Sequence, residues 1–167
     1  LFLLWVRRAG AADVRRRARA GAATDVGGAM LTIAVLVVVA LQEEVVFRGY
    51  VTINLLHLGW GVAAAASVVS FVGIHLLTNR TTAPQLASWT VGGTVLVIAY
   101  LLSGSLWVAV AIHLGMDLLN VVAFDIVGRF SLVTIDPPLQ DSLRLGYRLG
   151  SSVAIVLLLL GAYGAHI

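Results

Sequence analysis

Long runs of apolar residues, separated by short polar stretches, dominate the chain from residue 26 onward. A helix that crosses a bilayer needs roughly 20 mostly apolar residues. Runs near that length are present at Val26–Leu58, Trp60–Leu77, Leu86–Leu102, Leu106–Val127 and Ser151–Ile167. Leu1–Val6 has the character of the end of an earlier run. The pattern predicts an all-α protein, a polytopic transmembrane helix bundle of about five to six helices.

The composition favours a membrane protein over a soluble domain. Hydrophobic residues make up 60% of the chain and charged residues only 11%, with a mean hydropathy of +0.99. Soluble domains usually carry about 25% charged residues. We therefore expect the lipid bilayer to cover much of the surface. The chain has no cysteine, which excludes disulfides, thiolate metal ligands and a cysteine nucleophile.

The chain divides into three predicted regions, with no internal repeat and no separate soluble domain. Residues 1–25 are the end of a cut membrane helix plus a basic loop, 26–127 form the membrane core, and 128–167 are a loop and a final membrane helix. The Pro137-Pro138 pair marks that last loop, which is predicted over 128–150. Because residue 1 is not Met and lies inside an apolar run, we interpret the chain as a fragment. A signal peptide fits poorly, because the arginines follow this apolar run instead of preceding it.

The arginines predict the topology. If the chain crosses the membrane at each run, the connections 7–25, 78–85 and 128–150 lie on one side and hold 10 of the 11 arginines. By the positive-inside rule these arginine-rich loops are cytoplasmic. The basic stretch at 15–19 is interpreted as part of this signal, so no nucleic-acid partner is expected. Lysine is absent, and the arginine-only set in a compact chain favours a bacterial plasma membrane.

Three charged residues interrupt the first long run: Glu43, Glu44 and Arg48. An ionised side chain at mid-membrane costs at least about 2.5–3.5 kcal/mol. On a helix Glu44 and Arg48 are four residues apart and can pair, whereas Glu43 points about 100° away and lacks that partner. The spacing predicts a structural Glu44 and a Glu43 that is free to act. A purely structural ion cluster is the alternative.

Three further polar residues lie in later runs: His75, then His113 and Asp117, one turn apart on one helix face. Glu43 and His75 are both roughly 23 Å along their helices from a predicted turn at Leu58–Gly59. On two adjacent antiparallel helices they would therefore lie at the same depth in the membrane. His113 is only roughly 13 Å past the next predicted turn, at Ser103–Ser105, so it reaches that depth only if the first hairpin projects further. A lone histidine can be a core residue, and Asp117 can simply orient His113, so a converging site is a hypothesis.

Two kinds of chemistry fit such a site. A carboxylate and a neutral imidazole around one water can deprotonate it for attack on a carbonyl, and a second imidazole can stabilise the oxyanion or protonate the leaving amine. The same side chains can instead ligate a divalent metal such as Zn²⁺. Both alternatives predict amide hydrolysis inside the membrane, and no serine lies in a recognisable nucleophile motif. The metal candidates are Glu43, His75, His113 and Asp117.

The ordered motifs Glu43-Glu44-x-x-x-Arg48, Phe71-x-x-x-His75 and His113-x-x-x-Asp117 resemble those of the CPBP family. This family comprises CAAX prenyl endopeptidases and bacteriocin-processing proteins, also called Abi intramembrane proteases, and the resemblance covers residues 26–127. It implies an intramembrane endopeptidase that acts on a peptide or protein substrate. It also implies that Glu43 and His75 activate water, that His113 and Asp117 hold the oxyanion or assist water activation, and that Glu44 and Arg48 support the site.

Asp117 departs from the eukaryotic-type prenyl endopeptidases, which have asparagine at this position. An ionised aspartate cannot donate a hydrogen bond to an oxyanion unless it is protonated or binds a metal. Asn120, one turn further on, is a hypothetical substitute donor. Family members are commonly labelled metalloproteases, whereas a glutamate-activated water needs no metal, so both mechanisms stay open.

Other functions and substrates are also open. The chain can be a non-catalytic member of the same fold, such as a bacteriocin-immunity factor or a scaffold. Proton-coupled transport is disfavoured because the helices include no repeated broken segments. A prenylated C-terminal tail, a bacteriocin leader and a signal-peptide remnant are all candidate substrates. Trp89, near the start of its run, is interpreted as an interfacial residue.

Overall fold

The structure is a computed structural model that describes residues 26–124 and 137–164, with side chains described over 27–28, 30–121 and 145–164. Predictions on residues 1–25 and 125–136, including the basic stretch, lie outside the described residues. The two described ranges contain no strand, which confirms the all-α prediction. They form five long helices: α1 (Val26–Glu44), α2 (Trp60–Thr78), α3 (Ala83–Ser103), α4 (Leu106–Phe124) and α5 (Pro137–Tyr163).

The first membrane run does not end with α1. It continues as a π-helical segment, Val45–Thr52, then a short α-helical turn, Ile53–Leu55, and a 3₁₀ turn, Leu56–Leu58. Within residues 26–124 and 137–164, four helical spans are long and apolar enough to cross a membrane: Met30–Leu58, Trp60–Thr78, Ala83–Ser103 and Leu145–Tyr163. Many of their large apolar side chains face outward, where a bilayer would cover them. The chain is therefore an integral membrane protein.

Glycines form the two tight turns that the sequence predicts. Gly59 has φ 101° between the first run and α2, and Gly104 has φ 63° at the end of α3. Both values lie in a region that favours glycine, because it has no Cβ. The predicted turns at Leu58–Gly59 and Ser103–Ser105 are thus confirmed. The side chain of Thr82 caps α3 by accepting from the Gln85 N–H, and this helix begins three residues before the predicted Leu86.

Helix α5 corrects one prediction. The sequence predicts a connection over 128–150, but α5 begins within it, at Pro137. Proline is tolerated in the first turn of a helix because its missing N–H would have no partner there. The Pro137-Pro138 pair therefore lies at the start of a helix and not in the middle of a loop. Arg144 and Arg148 therefore lie in a helix and not in a loop. Arg148 is only 9% exposed.

Helix α3 occupies the centre of the bundle. It packs against α2, α4 and most extensively α5. Helix α1 packs against α4, and the π segment packs against α2. Its buried side chains include Val95, Leu96 and Val97. The polar residues of α1, α2 and α4 are therefore brought together beside one central helix.

Candidate active site

The π segment positions the first group of polar residues. It starts directly after Glu44 and contains Arg48. The hydroxyl of Thr52 donates to the carbonyl oxygen of Phe47 at 2.8 Å, and Ser67 of α2 donates to the same oxygen at 3.1 Å. The first bond stabilises the π segment, and the second joins it to α2. Single π turns in helices are frequent at functional sites.

Glu44 and Arg48 form the predicted ion pair. Arg48 Nη1 lies 2.8 Å from Glu44 Oε1, and both side chains are fully buried. Arg48 Nη2 also donates to the carbonyl oxygen of Gly93 at 3.0 Å, and the guanidinium lies 5.0 Å from the centre of the Phe71 ring. Hydrogen bonds and a cation–π contact thus compensate part of the cost of burying this charge.

Glu44 has a second partner that the sequence did not indicate. His113 Nδ1 lies 2.8 Å from Glu44 Oε1. Because an ionised carboxylate only accepts, the ring nitrogen is the donor. This bond joins α1 to α4 and directs the other ring nitrogen, Nε2, toward the neighbouring Glu43.

The four predicted site residues converge into what we call the cluster: Glu43, His75, His113 and Asp117. Glu43 Oε1 lies 3.9 Å from His75 Nε2, and Glu43 Oε2 lies 3.6 Å from His113 Nε2. Asp117 Oδ2 is 3.6 Å from the same His113 nitrogen. The matching depth of Glu43 and His75 is confirmed. His113 Nε2 also lies within 3.6 Å of Glu43, so the depth difference counted from the turns does not keep it away from the other residues.

Exposure separates the two adjacent glutamates. The side chain of Glu43 is 22% exposed, whereas that of Glu44 is 0% exposed. Glu43 is therefore accessible from outside the helix bundle, whereas Glu44 is enclosed. The structure agrees with the predicted division between a glutamate that is paired and one that is accessible.

The orientation of His75 is fixed by its own helix and by two aromatic rings. Its Nδ1 lies 2.8 Å from the carbonyl oxygen of Phe71, so this nitrogen carries the donated proton. In the neutral ring, Nε2 then presents a lone pair to Glu43. The rings of Phe71 and Trp89 lie 4.6 and 4.8 Å from the imidazole, centre to centre. Trp89 is predicted to be interfacial. Its contact with His75 depends on how α2 and α3 pack together, which the residue pattern of one helix does not reveal.

Two adjacent glycines of α3 were also missed. A Cβ on Gly93 would lie 3.0 Å from Cδ1 of Phe71, and one on Gly92 would lie 3.3 Å from Nη1 of Arg148. These glycines leave space for an aromatic ring and for a buried arginine against the central helix. Adjacent small residues in an apolar helix were the available signal, because such residues allow close packing in membranes.

We expect Gly93→Ala to destabilise the protein by about 1–3 kcal/mol, because the new methyl group must displace Phe71. Gly73→Ala is the matched control, since a Cβ at Gly73 has nothing within 4 Å. That change should be neutral or stabilising by about 0.5–1 kcal/mol. Thermal unfolding in detergent would measure both. Equal midpoints for the two variants would contradict the close approach of Phe71 to α3.

The described residues do not assemble a metal site. In residues 26–124 and 137–164, no group of three or more His, Cys, Asp or Glu side chains is arranged to hold a metal ion. The Nδ1 atoms of both cluster histidines are already engaged, with the Phe71 carbonyl and with Glu44, which leaves one nitrogen on each ring. A histidine that binds a metal commonly donates its other ring N–H in this way, so the metal alternative stays a prediction. The chemistry below is derived from the side chains alone.

The family model described as type II CAAX prenyl endopeptidase Rce1-like matches residues 25–119, more than half of the chain. The chain belongs to this family. No significant match is found among curated proteins, and none among solved structures.

The match in this Rce1-like protein contains the whole cluster together with Glu44 and Arg48. The family resemblance carried by the three motifs is therefore confirmed, and the chain is a CAAX-protease-like membrane protein. Arg148 and the rest of α5 lie beyond the matched residues.

Proposed function

We propose that this Rce1-like protein is an intramembrane endopeptidase that hydrolyses a peptide bond with a water activated by Glu43 and His75. One observation carries the proposal. The accessible Glu43 carboxylate lies between the Nε2 atoms of two histidines, at 3.9 and 3.6 Å, and the three residues are on three different helices. A carboxylate in that position is placed to act as a general base.

The first step concerns one water molecule. Glu43 Oε1 and the Nε2 lone pair of His75 are both acceptors, so a water between them donates one hydrogen bond to each and turns its own lone pair outward. When that oxygen attacks the carbonyl carbon of the scissile peptide, Glu43 takes one of its protons. When the tetrahedral intermediate collapses and the C–N bond breaks, Glu43 returns the proton to the leaving nitrogen.

His113 and Asp117 act on the oxyanion. With Nδ1–H bonded to Glu44, a second proton on Nε2 makes His113 a cation that donates to the oxyanion. Asp117, 3.6 Å from that nitrogen, then stabilises and orients the imidazolium. An aspartate can serve here without donating a hydrogen bond itself. The substitute role of Asn120 stays a prediction.

The location of the cluster suggests how a substrate enters. His75 is three residues from the end of α2, and Trp89 is in the second turn of α3. The cluster therefore lies toward the end of the bundle at the α2–α3 connection, which the arginine rule predicts to be cytoplasmic. We infer that the substrate is the cytoplasmic C-terminal tail of a membrane-anchored protein, with a prenylated tail as the first to test. The bacterial plasma membrane stays a prediction.

The test is cleavage of paired peptides by the detergent-purified protein. Each pair has one sequence, with and without a farnesyl group on the cysteine, and a mixed peptide library serves as a third substrate. Mass spectrometry should find one cleavage position with the wild type and none with Glu43→Ala. Equal products from both proteins would contradict the assignment of the base. Repeating the assay in the presence of a chelator tests the metal alternative separately.

Absence of products from both folded proteins on all substrates would favour the non-catalytic alternative. No observation in the described part of the structure favours that alternative at present. A scaffold does not require an accessible carboxylate between two imidazoles.

A further inference from the structure

Arg148 is a buried cation that the proposed reaction does not yet use. It lies on α5, in the membrane span Leu145–Tyr163, and is 9% exposed. Its Nη1 donates to the sulfur of Met116 at 2.6 Å, and its side chain crosses α3 where Gly92 has no Cβ. A thioether is a weak acceptor that carries no charge. Burying a guanidinium in a membrane protein requires more compensation than this contact supplies.

The charges around the cluster indicate where that compensation lies. Three carboxylates meet here, those of Glu43, Glu44 and Asp117, and Arg48 is paired with Glu44 at 2.8 Å. Met116, which Arg148 contacts, directly precedes Asp117 in α4. No direct ion pair joins Arg148 to Asp117 in the described part of the structure, but the guanidinium is held against Met116 and the two opposite charges attract each other at longer range. Arg48 is thus paired with Glu44, Asp117 is the carboxylate that Arg148 can compensate, and Glu43 is left with the two histidines.

We propose that Arg148 is a positioning residue, which acts through Asp117 to hold His113 toward the oxyanion. This inference rests on the proposed function. With Arg148 in place, Asp117 is a compensated carboxylate beside His113 Nε2. Without Arg148, repulsion from Glu43 and Glu44 would move Asp117 away from His113, and the imidazolium would lose its orientation. A residue outside the family match would then complete the site.

Steady-state kinetics on the best substrate tests the inference. We expect Arg148→Met to lower kcat about 10-fold or more while changing KM little, because Arg148 does not contact the substrate. Arg148→Lys keeps the charge and should recover much of the loss. Arg80→Met, in the exposed α2–α3 connection, is the matched control and should leave kcat unchanged.

The double variant Arg148→Met/Asp117→Asn decides between mechanisms. If Arg148 acts through Asp117, this variant is no slower than Asp117→Asn alone. Losses that multiply would overturn the inference. It would also be overturned if Arg148→Met raised KM for a peptide with a free C-terminal carboxylate but not for the C-terminal amide, since Arg148 would then bind the substrate.

A stability measurement separates this inference from the proposed function. Thermal unfolding of the same single and double variants in detergent reports the pairing without any turnover. We expect the double variant to unfold at a higher temperature than the sum of the two single shifts predicts. This coupling should be present even if the wild type cleaves none of the peptides. Additive shifts would overturn the pairing even if the wild type is an active protease.

Discussion

Replacing Glu43 by glutamine is expected to lower kcat/KM for peptide cleavage by at least about 100-fold, with the fold intact. The amide has nearly the same shape as the carboxylate but cannot take a proton from water. The contacts of Glu43 with His75 and His113, at 3.9 and 3.6 Å, are longer than hydrogen bonds. Folding should therefore depend little on this side chain, while the reaction depends on it entirely.

The neighbouring residue supplies the control for this prediction. Gln42 is exposed and precedes Glu43 on the same helix, so Gln42→Ala changes the local surface without touching the cluster. We expect Gln42→Ala to retain wild-type kinetics and all three proteins to share one unfolding midpoint. A Glu43→Gln protein that keeps more than a tenth of wild-type kcat/KM would show that another group activates the water.

The second large effect concerns stability. Arg48→Met should destabilise the protein by about 3–5 kcal/mol, because it leaves the fully buried Glu44 carboxylate without its cation. The carbonyl oxygen of Gly93 loses a donor in the same variant. Activity should fall as well, since Glu44 also holds the Nδ1–H of His113.

A charge-neutral double variant provides the control. Arg48→Met/Glu44→Gln removes both charges, and replacing a whole buried pair is often close to neutral in stability. We expect this variant to be more stable than Arg48→Met alone when both are unfolded by heat in detergent. If the loss of stability in the double variant equals the sum of the losses in Arg48→Met and Glu44→Gln, the two charges are not coupled. The destabilisation by Arg48→Met then has another cause.

The sequence by itself determined the architecture and much of the candidate site. Hydropathy is a local property, so apolar runs placed the helices, and Gly59 and Gly104 marked two turns. A charge inside an apolar run is costly wherever the helix packs, which is why the cluster residues could be named from the sequence alone. The i, i+4 spacing of Glu44 and Arg48 was sufficient to predict their pairing.

The tertiary structure decided everything that depends on the rotation and register between helices. The bond from His113 to Glu44, the contact of Trp89 with His75 and the burial of Arg148 each join residues on different helices. Spacing along one helix carries no information about such contacts. The π segment also escaped prediction. One of its bonds, from the Ser67 hydroxyl to the Phe47 carbonyl oxygen, forms only when α2 packs beside it. The sequence indicated which residues belong to the candidate site, and the packing of the helices around α3 determined which of them contact each other.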